Sequence, residues 1–496
     1  MAPPARPAAG SGCRTTRSCR RPGRPTTGPA SSGTWPGWPA RTGSAPRHRT
    51  GWPTGSTSRC GAFHDRGAEA LARLTGWGAI SLQHAAGVPD YFAQLPENTA
   101  PEGRCMFPHR LDQPDGPIGS GQDIVGQFDR DARAAGVEVR VSHRVPRVTV
   151  DGGGAVTGVV AETPEGPRTI GARRGVVFAT GGFTHNVEMR ENFLSGPLLG
   201  GCAAHSNTGD FVAIAQELGC ELANMNHALM APMVLDVALA DDPAATGTWR
   251  MAGDSMIWVN RYGRRVADEK AMYHELAQVF HTWDPGRAEY PNLVLTAIWD
   301  QAAQDHFSAD LIPGYPYEFG NPLIMNRPDR PHVMRADTLA GLEAQVRARL
   351  DTFAGATGGY QLDAGFAEQL GQTIGRFNAV AAKGIDDDFH RGESPMPLFF
   401  NGPGRPGNTA NPTLFPISGS GPYYAALMSP SSIDTKGGPR TDLDGRVLNR
   451  TGGPIRGLFG AGNCVASPFG KAYPAAGATL GPYLTSGYLV GRALTG

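Results

Sequence analysis

Lysine, both acids and every branched aliphatic are missing from the first sixty residues of this 496-residue chain, which hold ten arginines and ten prolines instead. Without aliphatic side chains to bury, a segment cannot offset the entropy of ordering itself, so disorder is its expected state. Its alphabet of Met, Ala, Pro, Arg, Gly, Ser, Cys, Thr, Trp and His is what a GC-rich gene gives when read in a wrong frame. Residues 1–60 are therefore expected to be out-of-frame or mis-started translation. The alternative is a basic tail that touches nucleic acid or an anionic surface, and the missing lysine argues against it. The formal net charge of zero conceals this asymmetry: ten arginines against no acid give the segment +10, and the remaining 35 basic and 45 acidic residues leave −10.

Other absences exclude whole classes. No window approaches eighteen apolar residues, so no integral membrane helix is expected. The first sixty residues contain no apolar run of the kind a secretory signal needs, and Arg20-Arg21 is not followed by one. The seven cysteines form no C-x-x-C pair, which fits a reducing cytoplasm and predicts no zinc or other metal site. H-E-x-x-H, the Walker loop and the nucleophile elbow are all missing.

From Gly61 onward the composition is that of a globular α/β protein. Residues 62–74 and 124–135 read as amphipathic helices, the second closed by Gly136. Residues 137–141 (VEVRV) alternate as a strand, Pro146 interrupts, and residues 148–150 and 155–161 flank the turn Asp151-Gly152-Gly153-Gly154. The apolar run 175–182 (GVVFATGG) predicts a strand buried on both faces that ends in a glycine-rich loop. Asn207-Thr208-Gly209-Asp210 opens an apolar helix with Thr208 or Asn207 as its cap, and Gly219 closes it. Residues 455–462 read as strand and loop, and residues 477–494 as a helix with glycines at its entry. Between them the aromatic- and proline-rich stretch 232–415, with a long helix over 338–352, reads as an inserted domain.

A glycine-rich turn at the end of a strand lets backbone approach a phosphate or planar cofactor, and a following helix start offers free N–H groups. Ala179-Thr180-Gly181-Gly182-Phe183 is such a turn, and Gly460-Ala461-Gly462-Asn463 with residues 473–482 (YPAAGATLGP) is a more specific one. These blocks occur in order with Asn186, residues 207–210, residues 258–265 (WVNRYGRR), residues 434–438 (DTKGG), Thr441-Asp442 and residues 445–448 (GRVL). Together they resemble the FAD-binding superfamily of fumarate reductase and succinate dehydrogenase flavoproteins, most of all its 3-ketosteroid dehydrogenase branch. The resemblance covers roughly residues 61–496.

It implies an α/β fold: a Rossmann-like FAD-binding domain in two pieces, 61–231 and 416–496, around an α+β substrate cap at 232–415. The FAD contacts it implies are Ala179, Thr180 and Gly181, then Thr208, Gly209 and Asp210, then Gly462 and Asn463, and finally Gly477, Ala478, Thr479 and Leu480 beside the isoalloxazine. One part of the family pattern is missing. No G-x-G-x-x-G to hold the pyrophosphate is expected anywhere in the chain; Gly10-Ser11-Gly12 starts one, but position 15 is Thr, no apolar strand precedes it and no acid precedes Asp65. The N-terminal part of the FAD domain is thus expected to be degraded and to lack a central strand.

Fumarate reductases place a proton-donating arginine about thirteen residues after the Asn of V-N-x-x-G-x-R. Counting from Asn260 reaches Tyr273 instead, which argues against a dicarboxylate substrate. In the ketosteroid branch a tyrosinate near this point takes a proton from the carbon next to a ketone while hydride leaves to flavin. Tyr91 resembles the assisting tyrosine, and Tyr473 with the N–H of Gly477 resembles the pair that polarises the ketone. The implied enzyme is a FAD-dependent dehydrogenase of an apolar, steroid-like ketone that passes electrons to a quinone-like acceptor and binds no nucleic acid. A fumarate-reductase-like enoate reductase and a truncated chain that no longer binds FAD productively remain as alternatives. His185, His205 and Lys471 read as structural or surface groups, His274 either tunes the Tyr273 phenol or has no role, and Arg264-Arg265 read as partners of Asp268 or Glu269.

Overall fold

The computed structural model describes residues 54–98, 100, 103–240, 253–307 and 332–495. Most of the segment read as disordered, residues 1–53, lies outside the described residues. The boundary drawn at residue 60 does not hold, because helix α1 begins at Thr54 and runs to Gly76. Within it Cys60 is buried and Arg59 donates to the Ala466 carbonyl at 2.9 Å, which fastens the helix start to the C-terminal part of the chain.

Strands β1 (Leu82–His84), β2 (Met106–Arg110) and β3 (Gln113–Ile118) form a small antiparallel sheet. Helix α2 (Gly121–Ala134) follows, and its start is set by a capping box in which Ser120 accepts from the Asp123 N–H and the Asp123 carboxylate accepts from the Ser120 N–H. The alternating residues 137–141 form no strand. Val137, Val139 and Val141 are all exposed, so alternation there has no partner edge to serve. Strands β4 (Arg144–Val150), β5 (Val156–Glu162) and β6 (Arg168–Gly171) make an antiparallel meander, and Pro146 sits within β4 rather than breaking it.

Strand β7 (Val176–Phe178) is shorter than the apolar run suggested, and it is not buried on both faces. Val177 is 41% exposed. After the short strand β8 (Gly200–Gly201), helix α3 (Asp210–Glu217) starts from Gly209, whose φ of 81° places it in the left-handed region; neither Thr208 nor Asn207 caps it through its side chain.

The chain then builds its largest sheet from β9 (Ala228–Val234), β10 (Met256–Val259), β11 (Leu295–Asp300), β12 (Met334–Ala336) and β13 (Tyr423–Thr435), with helices α4 (Tyr273–Leu276), α5 (Leu339–Thr352), α6 (Phe366–Lys383) and α7 (Pro395–Asn401) interspersed. The strand order is β9-β13-β11-β10, and β12 and β8 also pair with β13. This sheet crosses both expected domain boundaries, since residue 231 lies inside β9 and β13 lies beyond residue 415.

Side chains alternate across the sheet and bury both faces. Met256 and Trp258 join Leu295, Trp299 and Met428 on one side, while Ile257, Val259, Ile298 and Leu427 meet Leu342, Val346 and Phe377 of α5 and α6 on the other. Full burial of such side chains contributes about 1.5–3 kcal/mol each, which makes this sheet the rigid platform of the molecule.

The last elements are β14 (Arg446–Leu448), β15 (Pro454–Gly460) and helix α8 (Leu480–Thr495), which begins three residues after Gly477. Strand β15 pairs in parallel with β7, with Leu458 opposite Val176, and antiparallel with β14. Among the described residues β7 is paired on that one side only. Helices α1 and α8 leave a cavity of about 730 Å³ lined by Leu74, Trp77, Phe128 and Tyr488. The G-x-G-x-x-G spacing does occur, at residues 402–407 (GPGRPG), but in a loop after α7 whose Arg405 is bound by Asp254. With no strand before it and no helix after it, that loop has none of the geometry of a pyrophosphate site.

Candidate active site

Three tyrosines from three distant segments meet in one buried cluster. The hydroxyls of Tyr91 and Tyr273 are 2.8 Å apart, and the Tyr473 ring centroid lies 5.4 Å from that of Tyr273 and 5.9 Å from that of Tyr91. All three rings are at most 6% exposed. Around them stand Leu229, Ala231 and Met233, the face of β9 opposite Met230 and Val234, together with Met396, Phe400 and Phe469. This is a packed apolar cluster whose polar groups include the tyrosine hydroxyls.

Two of the tyrosines, Tyr91 and Tyr273, follow buried charges in the sequence. Asp90, itself buried, receives Arg104 at 2.7 Å and the Asn98 amide at 3.2 Å, and so sets the turn that presents Tyr91. Tyr273 opens α4 behind a buried ionic knot: Arg265 binds Glu269 at 2.8 Å and Asp386 at 2.9 Å, and Arg391 binds Glu269 at 3.1 Å. Burial alone would push the Glu269 carboxyl up, but Arg265 and Arg391 outweigh it and hold it down at about 2. Arg265 thus pairs with Glu269, as its sequence neighbourhood suggested, and with Asp386 besides.

Burial pushes the Tyr273 hydroxyl well above the ordinary phenol range, and the neighbouring Tyr473 and Tyr91 push in the same direction. His274 is a neutral tautomer by its partners. Its Nδ1 accepts from the Met230 N–H at 3.2 Å, so Nε2 carries the proton it donates to the Lys471 carbonyl at 2.9 Å. Burial, then the Lys436 cation, push the His274 imidazole down to about 3.

The glycine loops assemble at the exits of β7 and β15, around one carboxylate that the sequence motifs contained but to which no role was assigned. Asp434 accepts from the Gly182 N–H (2.9 Å), the Asn207 amide (2.8 Å), the Asn463 amide (2.9 Å) and the Thr184 hydroxyl (3.0 Å). Burial raises its pKa and these donors oppose the rise. Asp434 therefore ties together the loops holding Ala179, Thr180 and Gly181, then Thr208, Gly209 and Asp210, then Gly462 and Asn463.

Within these loops the residues are placed differently. Ala179 and Thr180 are exposed at the end of β7. A side chain at Gly181, where φ is 72°, would collide with the Asn207 amide at 2.3 Å, so glycine is needed there for loop to lie against loop. Asp210 is engaged by Arg144 through both oxygens, at 2.9 and 3.2 Å. Thr479 and Ala478 follow Gly477 beside the tyrosine cluster, with Ala478 packed into it, while Leu480 is 55% exposed.

Two observations test whether these residues fit a flavin. The buried Asn463 Oδ1 has no hydrogen-bond partner while its amide nitrogen is committed to Asp434, which leaves an acceptor for an N–H or O–H of a bound group. Gly477, with φ of 73°, faces open space where a Cβ would stand, so its backbone can be approached closely. The loops fit a planar, hydrogen-bonding cofactor.

Among the described residues no helix is long and apolar enough to cross a membrane, and Cys60, Cys105, Cys202, Cys220 and Cys464 are free thiols.

Comparison with known proteins places this geometry. Residues 46–480 match the FAD binding domain family. The chain is 35% identical over 384 residues to the 3-oxosteroid 1-dehydrogenase of Mycobacterium tuberculosis (strain ATCC 25618 / H37Rv), covering 75% of this chain and 62% of that protein. It is 33% identical over 390 residues to the 4-oxocyclohexanecarboxylate 2-dehydrogenase of Sinomonas cyclohexanicum, covering 77% of this chain and 62% of that protein. The chain thus spans somewhat less than two thirds of the length of these relatives. The crystal structure of the 3-ketosteroid delta1-dehydrogenase of Sterolibacterium denitrificans with 1,4-androstadiene-3,17-dione shares the fold, with a TM-score of 0.70 at 24% identity over 88% of this chain and 85% of that one.

Proposed function

The chain belongs to the FAD binding domain family, and from that premise we propose that it is a FAD-dependent dehydrogenase introducing a C=C bond next to the ketone of an apolar, steroid-like substrate. The observation that carries this reading is the buried Tyr91–Tyr273 hydroxyl pair at 2.8 Å with Tyr473 packed against both. Relatives that are 3-oxosteroid and cyclic oxo-acid dehydrogenases support it, since both kinds of substrate carry a ring ketone.

Ala179, Thr180, Gly181, Thr208, Gly209, Asp210, Gly462, Asn463, Gly477, Ala478, Thr479 and Leu480 are the residues that would hold FAD. Bound there, FAD supplies the hydride acceptor. Removing hydride from one carbon requires a proton to leave its neighbour, and a ketone makes that proton acidic by accepting the charge as an enolate. Tyr473 O–H and the Gly477 N–H are the donors assigned to the ketone oxygen, where preorganised hydrogen bonds stabilise developing charge. Tyr273 is the base. Its raised pKa makes it a strong but sparsely ionised base, and the Tyr91 O–H, 2.8 Å away, would donate to the phenolate and offset the cost of ionising it among apolar side chains.

Tyr273 stands thirteen positions after Asn260, where fumarate reductases carry an arginine, which disfavours enoate reduction of the fumarate type. Electrons are assigned to a quinone-like acceptor and the site of action to the cytoplasm. The free thiols support that compartment, and the sequence shows no nicotinamide motif. The test is anaerobic mixing of the FAD-loaded chain with 4-androstene-3,17-dione and, separately, with succinate. Bleaching of the flavin by the steroid alone is the expected result, and bleaching by succinate alone would reject the assignment.

A further inference from the structure

The buried cation at the end of β13 has no part in the chemistry above, yet its surroundings tie it to the tyrosines. Lys436 is fully buried. Its Nζ donates to the carbonyls of Gly470 at 2.9 Å, Lys471 at 3.2 Å and Ala472 at 2.5 Å, the three residues that lead directly into Tyr473. An ammonium has three N–H donors, so this one is saturated by a single loop.

The Lys471 carbonyl also receives His274 Nε2 at 2.9 Å, and His274 is the residue after Tyr273. One carbonyl therefore joins the helix of the base to the loop of the ketone donor. Burial pushes the Lys436 ammonium down to about 7, and Glu275, on the short helix that Tyr273 opens, opposes that shift. Asp434, two residues earlier, fastens the glycine loops. The end of one strand thus holds the cofactor side and the substrate side in register.

We propose that Lys436 is a positioning residue: through the 470–472 carbonyls, with His274 as second clamp, it sets where the Tyr473 hydroxyl stands relative to Tyr273 and the substrate ketone. The proposal rests on the reading of Tyr473 as a ketone donor. A hydroxyl displaced by about 1 Å costs on the order of 100-fold in rate.

The experiment uses the FAD-loaded full chain as wild type, Lys436→Met, Lys436→Arg and Tyr473→Phe. Two signals are read besides turnover: the 3-keto stretch of bound 1,4-androstadiene-3,17-dione by infrared difference spectroscopy, and the fluorine resonance of 3-fluorotyrosine placed at position 473 without ligand. Lys436→Met should lower kcat about 100-fold with KM changed less than about threefold. It should also move the keto stretch toward its unpolarised value as Tyr473→Phe does, and shift the fluorine resonance. Lys436→Arg should restore part of all three.

A wild-type stretch and fluorine resonance in Lys436→Met would overturn the proposal, even if activity fell. If the wild type neither binds the dione nor turns over while the fluorine resonance still moves, the functional reading fails and the positioning role stands. Should Lys436→Met not fold, His274→Phe removes the second donor to the Lys471 carbonyl. A smaller shift in the same direction is then expected, and no shift would overturn the proposal.

Discussion

Around the tyrosines residues 91, 273 and 473 and a face of β9 are all buried; around the glycine loops, among the described residues, β7 is paired on one side and Val177, Ala179 and Thr180 are exposed. The same carboxylates and cations do different work in the two places. Near the tyrosines, ions are consumed in holding single side chains at fixed distances, as Arg265, Arg391 and Glu269 do behind Tyr273. Near the loops, one carboxylate holds backbone segments together and leaves their outer surface open. On the function proposed above, the first arrangement would hold the substrate and the second the cofactor. Substitutions on the two sides should accordingly be read in different quantities, rate on one and cofactor affinity on the other.

The largest effect expected is on rate. Tyr273→Phe removes the proposed base and should slow flavin reduction by a ketosteroid by about 10³-fold, roughly 4 kcal/mol, with flavin content unchanged. Stopped-flow reduction at matched occupancy measures it, and a loss of flavin as large as the loss of rate would erase the division between the two regions.

Next comes stability on the tyrosine side. Arg391 is fully buried and serves Glu269 and the carbonyls of Met256 and Gly253. Arg391→Met leaves that carboxylate with one of its two cations and strips the carbonyls, which should cost about 3 kcal/mol. Urea unfolding followed by circular dichroism checks this. A change below about 1 kcal/mol would show that the knot is not what holds the turn before Tyr273.

How much of this was visible in the sequence depended on how local each feature is. The loops at 179–183, 207–210, 457–463 and 473–482 could be read because a strand exit or helix entry is specified by adjacent residues, and Tyr273 could be reached by counting from Asn260. Asp434 could not: its donors come from Gly182, Thr184, Asn207 and Asn463, and no spacing within DTKGG announces them. Lys436 was hidden for the same reason, its partners lying 34 to 36 residues away. The failures run the other way as well. Residues 137–141 alternate perfectly yet form no strand, because alternation specifies faces and not a pairing edge, and no neighbour supplies one. Helix α1 starts inside a segment whose average composition argues against structure, because its start is fixed by a contact with Ala466 407 residues away.

On the cofactor side the comparison predicts a loss of affinity. Asp434→Ala would leave the Gly182 N–H and the amides of Asn207 and Asn463 without their acceptor, freeing three loops at once. FAD affinity, read by flavin fluorescence quenching, should weaken about 30-fold, near 2 kcal/mol, which is the order of one or two buried hydrogen-bond partners lost. The ketone-facing tyrosines should keep their 19F and infrared signatures. Equal damage to both sides would show that Asp434 supports the whole centre and not the loops alone.

The last effect expected is a slope, small at any one pH near neutrality. His274 stays neutral in the fold because both ring nitrogens are committed, one accepting from Met230 and one donating to Lys471. Its pKa falls from 6.5 to about 3 on folding. Between those values the unfolded chain binds one more proton at this residue than the folded chain does, so its contribution to stability is fully present above pH 6.5 and is lost as pH falls toward 3. The slope it contributes is about 1.4 kcal/mol per pH unit within that window. His274→Gln has no group that titrates there. Urea midpoints between pH 4 and 6 should therefore change less steeply with pH in His274→Gln than in the wild type, by one proton's worth of slope, and the two should run parallel above pH 7. Parallel lines throughout would mean that His274 accepts its second proton in the folded state, which the Met230 N–H pointing at Nδ1 forbids as long as the clamp between Tyr273 and Tyr473 is closed.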